Sequence, residues 1–274
     1  MLLPPMRRLW IGVVAFGLLA MGWGQARADS AVGKVLTGQY SATAAMNALY
    51  GNYDAGSKSS LLAPKRGAAY EPSWPSKVRV KIVTDSSYTD DSVPRHVLVT
   101  WARPDEKSDG QYTCHACGVL LGVSVFRQEQ GNWKVEASAL QLVETGAWGQ
   151  PPQVKVQRLG EHTWGLVMQM GDMHQGETEQ ALWVYGPKSG EFAEWFRAEL
   201  ADMNPERGFK DDWCGTRSSG DMDVMCVWKR LDYSLVPEAG KEMYELVRTE
   251  RAKGREVQTY WRFVGGKYVA AAKP

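Results

Sequence analysis

The alternation of hydrophobic and polar residues predicts short β-strands over most of the chain after Lys77. A period of two places alternate side chains on opposite faces of a sheet. Three such runs are 78–82, 96–101 and 119–126. An earlier segment, 41–50, favours a helix instead, because Ser41 can cap it, alanines stabilise it and Gly51 ends it. The pattern predicts a mainly β, antiparallel protein with a short N-terminal helix.

Comparison of the sequence with itself reveals a recurring hairpin unit. Each unit has a strand, a glycine turn, an aromatic residue and a second strand, since glycine supplies the positive φ of tight turns and the aromatic residue packs across the hairpin. The glycines are Gly131, Gly190 and Gly266, and the aromatic residues are Trp133, Phe192 and Tyr268. The glycines are separated by 59 and then 76 residues. This spacing suggests about one four-stranded sheet per repeat, as in propeller blades of about 40–50 residues, with a β-sandwich as the alternative.

Two segments fit both a helix and a strand. In 191–203 four apolar residues fall at helical spacing, although the hairpin pattern favours a strand. They are Phe192, Trp195, Phe196 and Leu200. Segment 243–255 is equally ambiguous. Segment 56–76 contains three prolines among glycine, serine and lysine, which predicts a loop.

The first 28 residues have the features of a signal peptide. Arg7 and Arg8 precede an apolar run, and alanines at 26 and 28 supply the small residues that a signal peptidase needs. We expect three segments, which are a signal peptide at 1–28, an N-terminal helix with a Pro/Gly-rich lead-in at 29–76, and an antiparallel β domain at 77–274. No later apolar run approaches the roughly 18 residues that span a bilayer. The expected product is periplasmic or secreted, with no membrane span after cleavage.

The formal net charge of the chain limits which classes of partner are expected. Removing residues 1–28 takes away three arginines and no acidic residue, so the formal charge changes from +1 to −2. Nucleic-acid phosphates would require a basic surface. We therefore expect an envelope protein or a small ligand as partner, and no nucleic acid.

Residues 113–118 read T-C-H-A-C-G, and this pair of cysteines raises three chemical possibilities besides a disulfide. Haem attachment needs a histidine directly after the second cysteine, where Gly118 stands. A zinc site needs four ligands, normally in closely spaced pairs, whereas eleven residues separate Cys214 from Cys226. Thiol redox chemistry needs a cysteine at a helix N-terminus, and the β-branched run after Cys117 favours a strand.

Structural disulfides are the interpretation that remains strongest. An oxidising compartment favours them, and the simplest pairing is Cys114 with Cys117 and Cys214 with Cys226. Crossed pairing stays open, because four cysteines allow three connectivities. A redox role also stays open as an alternative, since His115 between the cysteines can lower a thiol pKa.

A cluster of soft ligands forms the second chemical candidate. Thioethers and imidazole suit Cu(I), and the cluster consists of Met168, Met170, Met173 and His174. However, Trp164, Leu166, Met168 and Met170 would share one face of a strand, which is typical of a buried stripe. Only Met173 and His174, in an expected glycine-flanked loop, escape that interpretation. We favour core packing and predict no metal and no cofactor.

The remaining polar residues give only weak indications of a metal site or a catalytic site. Asp85, Asp90 and Asp91 lie in a Ser/Thr-rich stretch that predicts a solvated loop, and Asp221 with Asp223 does not justify a calcium site. No hydrolase or nucleotide-binding motif is present. None of the four histidines has a neighbouring serine or carboxylate in a recognisable catalytic pattern. They are His96, His115, His162 and His174. An enzyme is therefore not expected.

At C-H-A-C-G, followed by the 119–126 strand and the Gly131-Asn-Trp133 hairpin, the chain resembles a loosely defined group of exported proteobacterial proteins. The resemblance covers about residues 96–200 and implies export and an all-β body. It implies no activity and transfers no site residue.

We expect an exported, disulfide-stabilised envelope protein that acts as a non-enzymatic binding or interaction module. The alternative is a thiol-disulfide or copper-handling protein that uses C-H-A-C or the Met/His cluster. If the fold is propeller-like, we expect partners to meet the loops at one end of the sheets. Among those loops Trp148 is a ligand-binding candidate, because it stands between Gly146-Ala and Gly149. Burial against a neighbouring turn is the competing explanation.

Overall fold

A computed structural model describes residues 31–64, 77–104, 118–174, 177–203, 229–252 and 255–273. The described residues form one helix and two antiparallel sheets. Sheet A has six strands in the order β1-β6-β5-β4-β3-β2. The helix is α1 (Ala42–Tyr50), and the strands of sheet A are β1 (Val35–Leu36), β2 (Ser60–Leu62), β3 (Val78–Asp90), β4 (Val93–Pro104), β5 (Val119–Glu129) and β6 (Asn132–Thr145).

Sheet B has eight strands in the order β14-β13-β12-β11-β10-β9-β8-β7, so each strand pairs with its neighbours along the chain. Its strands are β7 (Gln153–Arg158), β8 (Trp164–His174), β9 (Glu177–Lys188), β10 (Glu191–Met203), β11 (Lys229–Val236), β12 (Glu245–Ala252), β13 (Arg255–Val264) and β14 (Lys267–Ala271). The predicted signal peptide and the segment 65–76 lie outside the described residues.

The predicted mainly β, antiparallel fold is confirmed, and so are all three hairpins. The three turn glycines have φ between 79° and 90°, and they connect β5 to β6, β9 to β10 and β13 to β14. The propeller-like arrangement is not confirmed, because the second and third hairpins belong to the same eight-stranded sheet. Two sheets that share a core are nearer to the sandwich alternative.

The predicted helix is also confirmed, with both of its ends. The Ser41 side chain accepts a hydrogen bond from the backbone N–H of Ala44 at 3.1 Å, and Gly51 ends the helix with φ of 71°. The buried residues Ala45, Met46 and Leu49 pack into a cluster on one face of sheet A. The helix therefore covers that face and leaves the other face for sheet B.

A buried polar contact fixes the helix on sheet A. The hydroxyl of Tyr50 lies 2.7 Å from that of Thr100 on β4. A β-carbon at Gly122 would come within 2.9 Å of the Tyr50 hydroxyl, so a glycine makes room for it. Burial raises the pKa of Tyr50 to about 12, although the hydrogen bond with Thr100 acts in the opposite direction.

The second face of sheet A packs against sheet B through one shared apolar cluster. Sheet A contributes Val97, Val99, Val119, Leu121, Val123, Val125, Ala137 and Ala139, and sheet B contributes Leu166, Met168, Trp183 and Tyr185. Leu166 and Met168 are almost fully buried. The interpretation of the stripe of alternate residues from Trp164 to Met170 as core packing is correct for Leu166 and Met168.

Segment 191–203 is a strand, β10, and a β-bulge explains its helix-like pattern. The register with β9 shifts between Glu194 and Phe196, and a bulge places two neighbouring residues opposite one partner. As a result Trp195 and Phe196 are both buried although they are adjacent. The ambiguous segment 243–255 likewise contains β12 and the start of β13. Within the segment expected to be a loop, 60–62 form β2.

Sheet B is curled into a half-barrel, and the curl brings two of its loops into contact. The loop 159–163 follows β7, and the loop 237–244 precedes β12. The N–H of Tyr244 donates to the carbonyl of Leu159 at 2.8 Å, and that of Glu161 donates to the carbonyl of Lys241 at 2.9 Å. A β-carbon at Gly160 would stand 1.8 Å from the carbonyl oxygen of Glu242. A glycine there is therefore required for the two loops to touch.

Candidate functional site

A cleft of about 500 Å³ opens where the two sheets meet, and we call it the inter-sheet cleft. Its wall includes the ends of strands β3 and β13 and parts of four connections, the loops 159–163 and 237–244 and the turns β9–β10 and β13–β14. On the sheet A side, Arg95 of β4 and Glu136 of β6 complete the lining. The cleft therefore depends on contacts between segments that are far apart in the sequence.

Two aromatic pairs form much of the apolar lining. Tyr88 of β3 stacks on Trp164 of β8 with ring centroids 4.5 Å apart. Trp195 of β10 meets Phe263 of β13 edge-on at 4.8 Å. Burial raises the pKa of Tyr88 above its usual value.

The indole nitrogen of Trp164 is an unusual feature of this lining. It is buried and has no hydrogen-bond partner among the described residues. Buried donors in native proteins normally have an acceptor. This one stays unpaired within the described part of the structure.

An ion-pair network holds the sheet A side of the cleft. The Arg95 side chain is only 11% exposed, and its Nε donates to Oε2 of Glu136 at 2.8 Å. Its Nη1 donates to the backbone carbonyl of Asp90 at 3.0 Å. Burial would lower the pKa of Arg95, but the hydrogen bond with Glu136 and the charges of Glu136 and Asp90 outweigh it and raise the pKa. The charge of Arg95 is thus compensated within the wall.

His162 extends this network across to sheet B. Its Nδ1 lies 3.2 Å from Oδ1 of Asp90 and 2.9 Å from Oδ1 of Asp91. Among the described residues, these three form the one group that could hold a metal ion, with possible ligand atoms within 4.8 Å of one another. Hydrogen bonds between the imidazole and the two carboxylates account for the same geometry without a metal.

These positions correct the expectation of a solvated loop at Asp85, Asp90 and Asp91. Asp85 and Asp90 lie in strand β3, and only Asp91 is in the turn that follows. The stretch continues as a strand because β4 pairs with it as far as Asp90 and Val93. Its polar side chains therefore project from a sheet edge instead of a loop.

A second histidine also has a carboxylate partner, on the helix-bearing face of sheet A. His96 stacks on Tyr40 with centroids 3.7 Å apart, and its Nδ1 lies 3.3 Å from Oδ1 of Asp85. The Tyr40 hydroxyl donates to the same oxygen at 3.1 Å. Burial, followed by the charge of Asp85, raises the pKa of Tyr40 above its usual value. Asp85, His96 and Tyr40 all contact one another. We therefore interpret this group as a structural contact.

The copper candidates do not form a described cluster. Met168 is buried in the core between the sheets. The expected loop at Met173 and His174 is wrong, since β8 extends through both and pairs them with Thr178 and Glu177. The side chains of Met170, Met173 and His174 lie outside the described part of the structure. So do all four cysteines, together with Asp221 and Asp223.

Trp148 lies away from the cleft. Strand β6 passes the cleft at Glu136 and ends at Thr145, so Trp148 follows the opposite end of that strand. The residue is 45% exposed and has φ of 57°, a conformation that favours glycine. It is exposed as a binding residue would be, but it does not share a site with the cleft residues.

Several cleft residues were missed by the sequence interpretation, notably Arg95, Glu136 and His162. The available signals were the hairpin glycines at 190 and 266, whose turns contribute to the wall, and the short segment Gly160-Glu-His-Thr-Trp164 between two strands. Neither signal shows which loops meet, because the curl of sheet B brings them together.

A smaller cavity of about 140 Å³ lies on the concave face of sheet B. Residues from β7 line one side, and residues from β11 and β12 line the other. Strands four places apart in the sheet approach each other here because the sheet is curled.

No helix in the described ranges is long and apolar enough to cross a membrane. No protein-family model matches the chain, and no match was found among curated proteins or solved structures.

Proposed function

We propose that the chain is an exported, disulfide-stabilised binding module without enzymatic activity, and that the inter-sheet cleft is its ligand site. The volume and the lining of the cleft support this proposal. Small-molecule sites commonly have volumes of about 300–1,000 Å³, mostly apolar walls and a few placed polar groups. The cleft has about 500 Å³, two aromatic pairs and a charged network.

The charged groups of the cleft favour binding over catalysis. Arg95 is engaged by Glu136 and Asp90, and His162 contacts two carboxylates. The hydroxyl of Thr163 donates to the carbonyl of Glu242 at 3.4 Å and is not held by a base. A nucleophile activated by a neighbouring base is the usual arrangement for covalent catalysis, and these contacts do not form one.

Export and disulfide formation rest on the sequence features of residues 1–28 and of the four cysteines. The copper alternative gains no support from Met168, which packs in the core. The thiol-disulfide alternative depends on cysteines that lie outside the described residues.

The test is a ligand-observed NMR screen of a fragment library against three proteins. They are the wild type, a Thr163→Trp variant that fills the cleft, and a Thr89→Trp control. Thr89 is exposed on β3 and does not line the cleft. Circular dichroism establishes that the variants are folded.

We expect fragments that bind the wild type and the Thr89→Trp control but not the Thr163→Trp variant. Fragments that bind all three proteins equally, or a library without a single cleft ligand, would contradict the proposal.

A further inference from the structure

We infer that the ligand of the inter-sheet cleft is an organic cation, an amine or quaternary ammonium group on a small apolar body. This inference rests on the proposed function of the cleft and adds the chemical class of its ligand. Two independent properties of the wall support it, which are its charge and its aromatic composition.

Carboxylates outnumber cations around the cleft. The lining contains the carboxylates of Asp90, Glu136 and Glu242, whereas its cations are Arg95 and Lys188. Counted with histidine neutral, three negative charges face two positive ones, and Asp91 contacts His162 of the lining.

The positive charges are also poorly placed to attract an anion. Arg95 is nearly buried and donates to Glu136 and to the carbonyl of Asp90, so its hydrogen-bond donors already have acceptors. Lys188 is exposed to solvent on β9 next to the β9–β10 turn, where water screens its charge. Glu242, which has the opposite charge, is exposed on the loop 237–244. With histidine neutral, the lining therefore has a net charge of one negative unit, and its field favours a cation over an anion.

The shape of the site strengthens that field. The cleft lies between two sheets with a shared apolar core, and clefts with low-dielectric walls focus the field of the charges that line them. A carboxylate there attracts a cation more strongly than the same carboxylate on an open surface.

The aromatic lining favours the same class of ligand. A cation over the face of tryptophan, tyrosine or phenylalanine gains about 0.5–2 kcal/mol, and tryptophan is the best of the three. The cleft offers two indoles, a phenol and a phenyl ring, on Trp164, Trp195, Tyr88 and Phe263. Methyl groups on nitrogen are apolar as well as positively charged, so such a ligand suits both the rings and the carboxylates.

Three probes of nearly identical shape distinguish the effect of ligand charge on binding from the effect of ligand shape. Choline is a cation, 3,3-dimethylbutan-1-ol is its neutral carbon isostere, and 3,3-dimethylbutanoate is an anion with the same tert-butyl head. Each is titrated by NMR into the wild-type protein at low salt, with EDTA present so that metal binding at Asp90, Asp91 and His162 does not interfere.

We expect choline to bind roughly tenfold tighter than the neutral isostere, which corresponds to about 1.4 kcal/mol, and we expect the anion to bind most weakly. Glu242→Gln should weaken choline binding severalfold. Glu238→Gln is the matched control, because Glu238 belongs to the same loop, pairs with Lys241 and does not line the cleft. Thr163→Trp should abolish choline binding.

Equal binding of the cation and the neutral isostere, a preference for the anion, or no binding of any probe would overturn the inference. Choline binding that survives Thr163→Trp would also overturn it, because the cation would then bind elsewhere. The fragment screen decides the proposed function independently, since its fragments include neutral and anionic molecules.

Discussion

The indole of Trp195 lies across Gly186 on the neighbouring strand, and its ring fills the space where a β-carbon would stand. A β-carbon at position 186 would come 2.1 Å from Cη2 of the indole. Trp195 then meets Phe263 and lines the inter-sheet cleft. The missing side chain on β9 thus allows the aromatic wall of the cleft to form.

Gly186→Ala should therefore displace Trp195. We expect a loss of about 1–3 kcal/mol in the free energy of unfolding, the usual cost of overpacking, measured by urea denaturation. In a Trp195→Leu background the same glycine substitution should cost clearly less, because the two residues are in contact. Equal costs in both backgrounds would show that the indole does not depend on Gly186.

The pair formed by Arg95 and Glu136 should couple weakly but measurably. Glu136 is 38% exposed, so solvent screens the pair, and we expect a coupling energy of about 0.5–1 kcal/mol. A double-mutant cycle with Arg95→Met and Glu136→Gln measures it. Arg95→Met alone should cost more than Glu136→Gln alone, since Arg95 also donates to the carbonyl of Asp90. A coupling energy of zero would contradict this description.

Tyr50 should make the protein less stable at alkaline pH. Its pKa rises from 10.0 to about 12 on folding, so between these values the unfolded chain releases a proton that the folded chain retains. Its contribution is complete below pH 10 and is lost as pH rises through 12. The loss amounts to roughly 2–3 kcal/mol.

Urea denaturation from pH 8 to pH 12 measures this effect. In Tyr50→Phe the free energy of unfolding should fall less steeply with pH than in the wild type. At neutral pH the variant should lose about 1 kcal/mol, because Thr100 is left buried without its partner. Tyr260→Phe, at a partly exposed position on β13, is the control and should keep the wild-type slope. Identical slopes in all three proteins would refute the assignment.

Mass spectrometry tests export and the cysteine pairing together. Protein purified from the periplasm should begin at Asp29 and weigh four hydrogens less than its reduced mass, since the chain has four cysteines. Mild reductant should leave that mass unchanged, and no copper should be retained. A bond that opens readily at Cys114–Cys117, or one firmly held copper ion, would instead favour the redox or copper alternative.

Local structure was largely predictable from the sequence. The three hairpins depend on glycines that supply positive φ within the turn itself, and the helix depends on Ser41 and Gly51 at its own ends. Segment 191–203 was ambiguous because a β-bulge imitates helical spacing. The bulge buries the adjacent residues Trp195 and Phe196 together, and strict alternation cannot produce that pattern.

The candidate site was not predictable, because its residues come from separate elements. His162 and Asp90 are 72 positions apart, and the sequence near either residue does not indicate the other. Gly160 fits against Glu242 only after sheet B has curled. The polar composition of the stretch around Asp85 and Asp90 predicts a loop, although pairing with β4 makes it a strand.

The contact between the loops 159–163 and 237–244 also affects the order of folding. Most strand pairs join neighbours along the chain, so both meanders can nucleate locally. The loop contact joins positions up to 85 residues apart, as between Leu159 and Tyr244, and its loop-closure entropy must be overcome before the contact stabilises anything. We expect these contacts to be absent from the transition state. Substitutions in the loops should then accelerate unfolding while leaving the refolding rate almost unchanged.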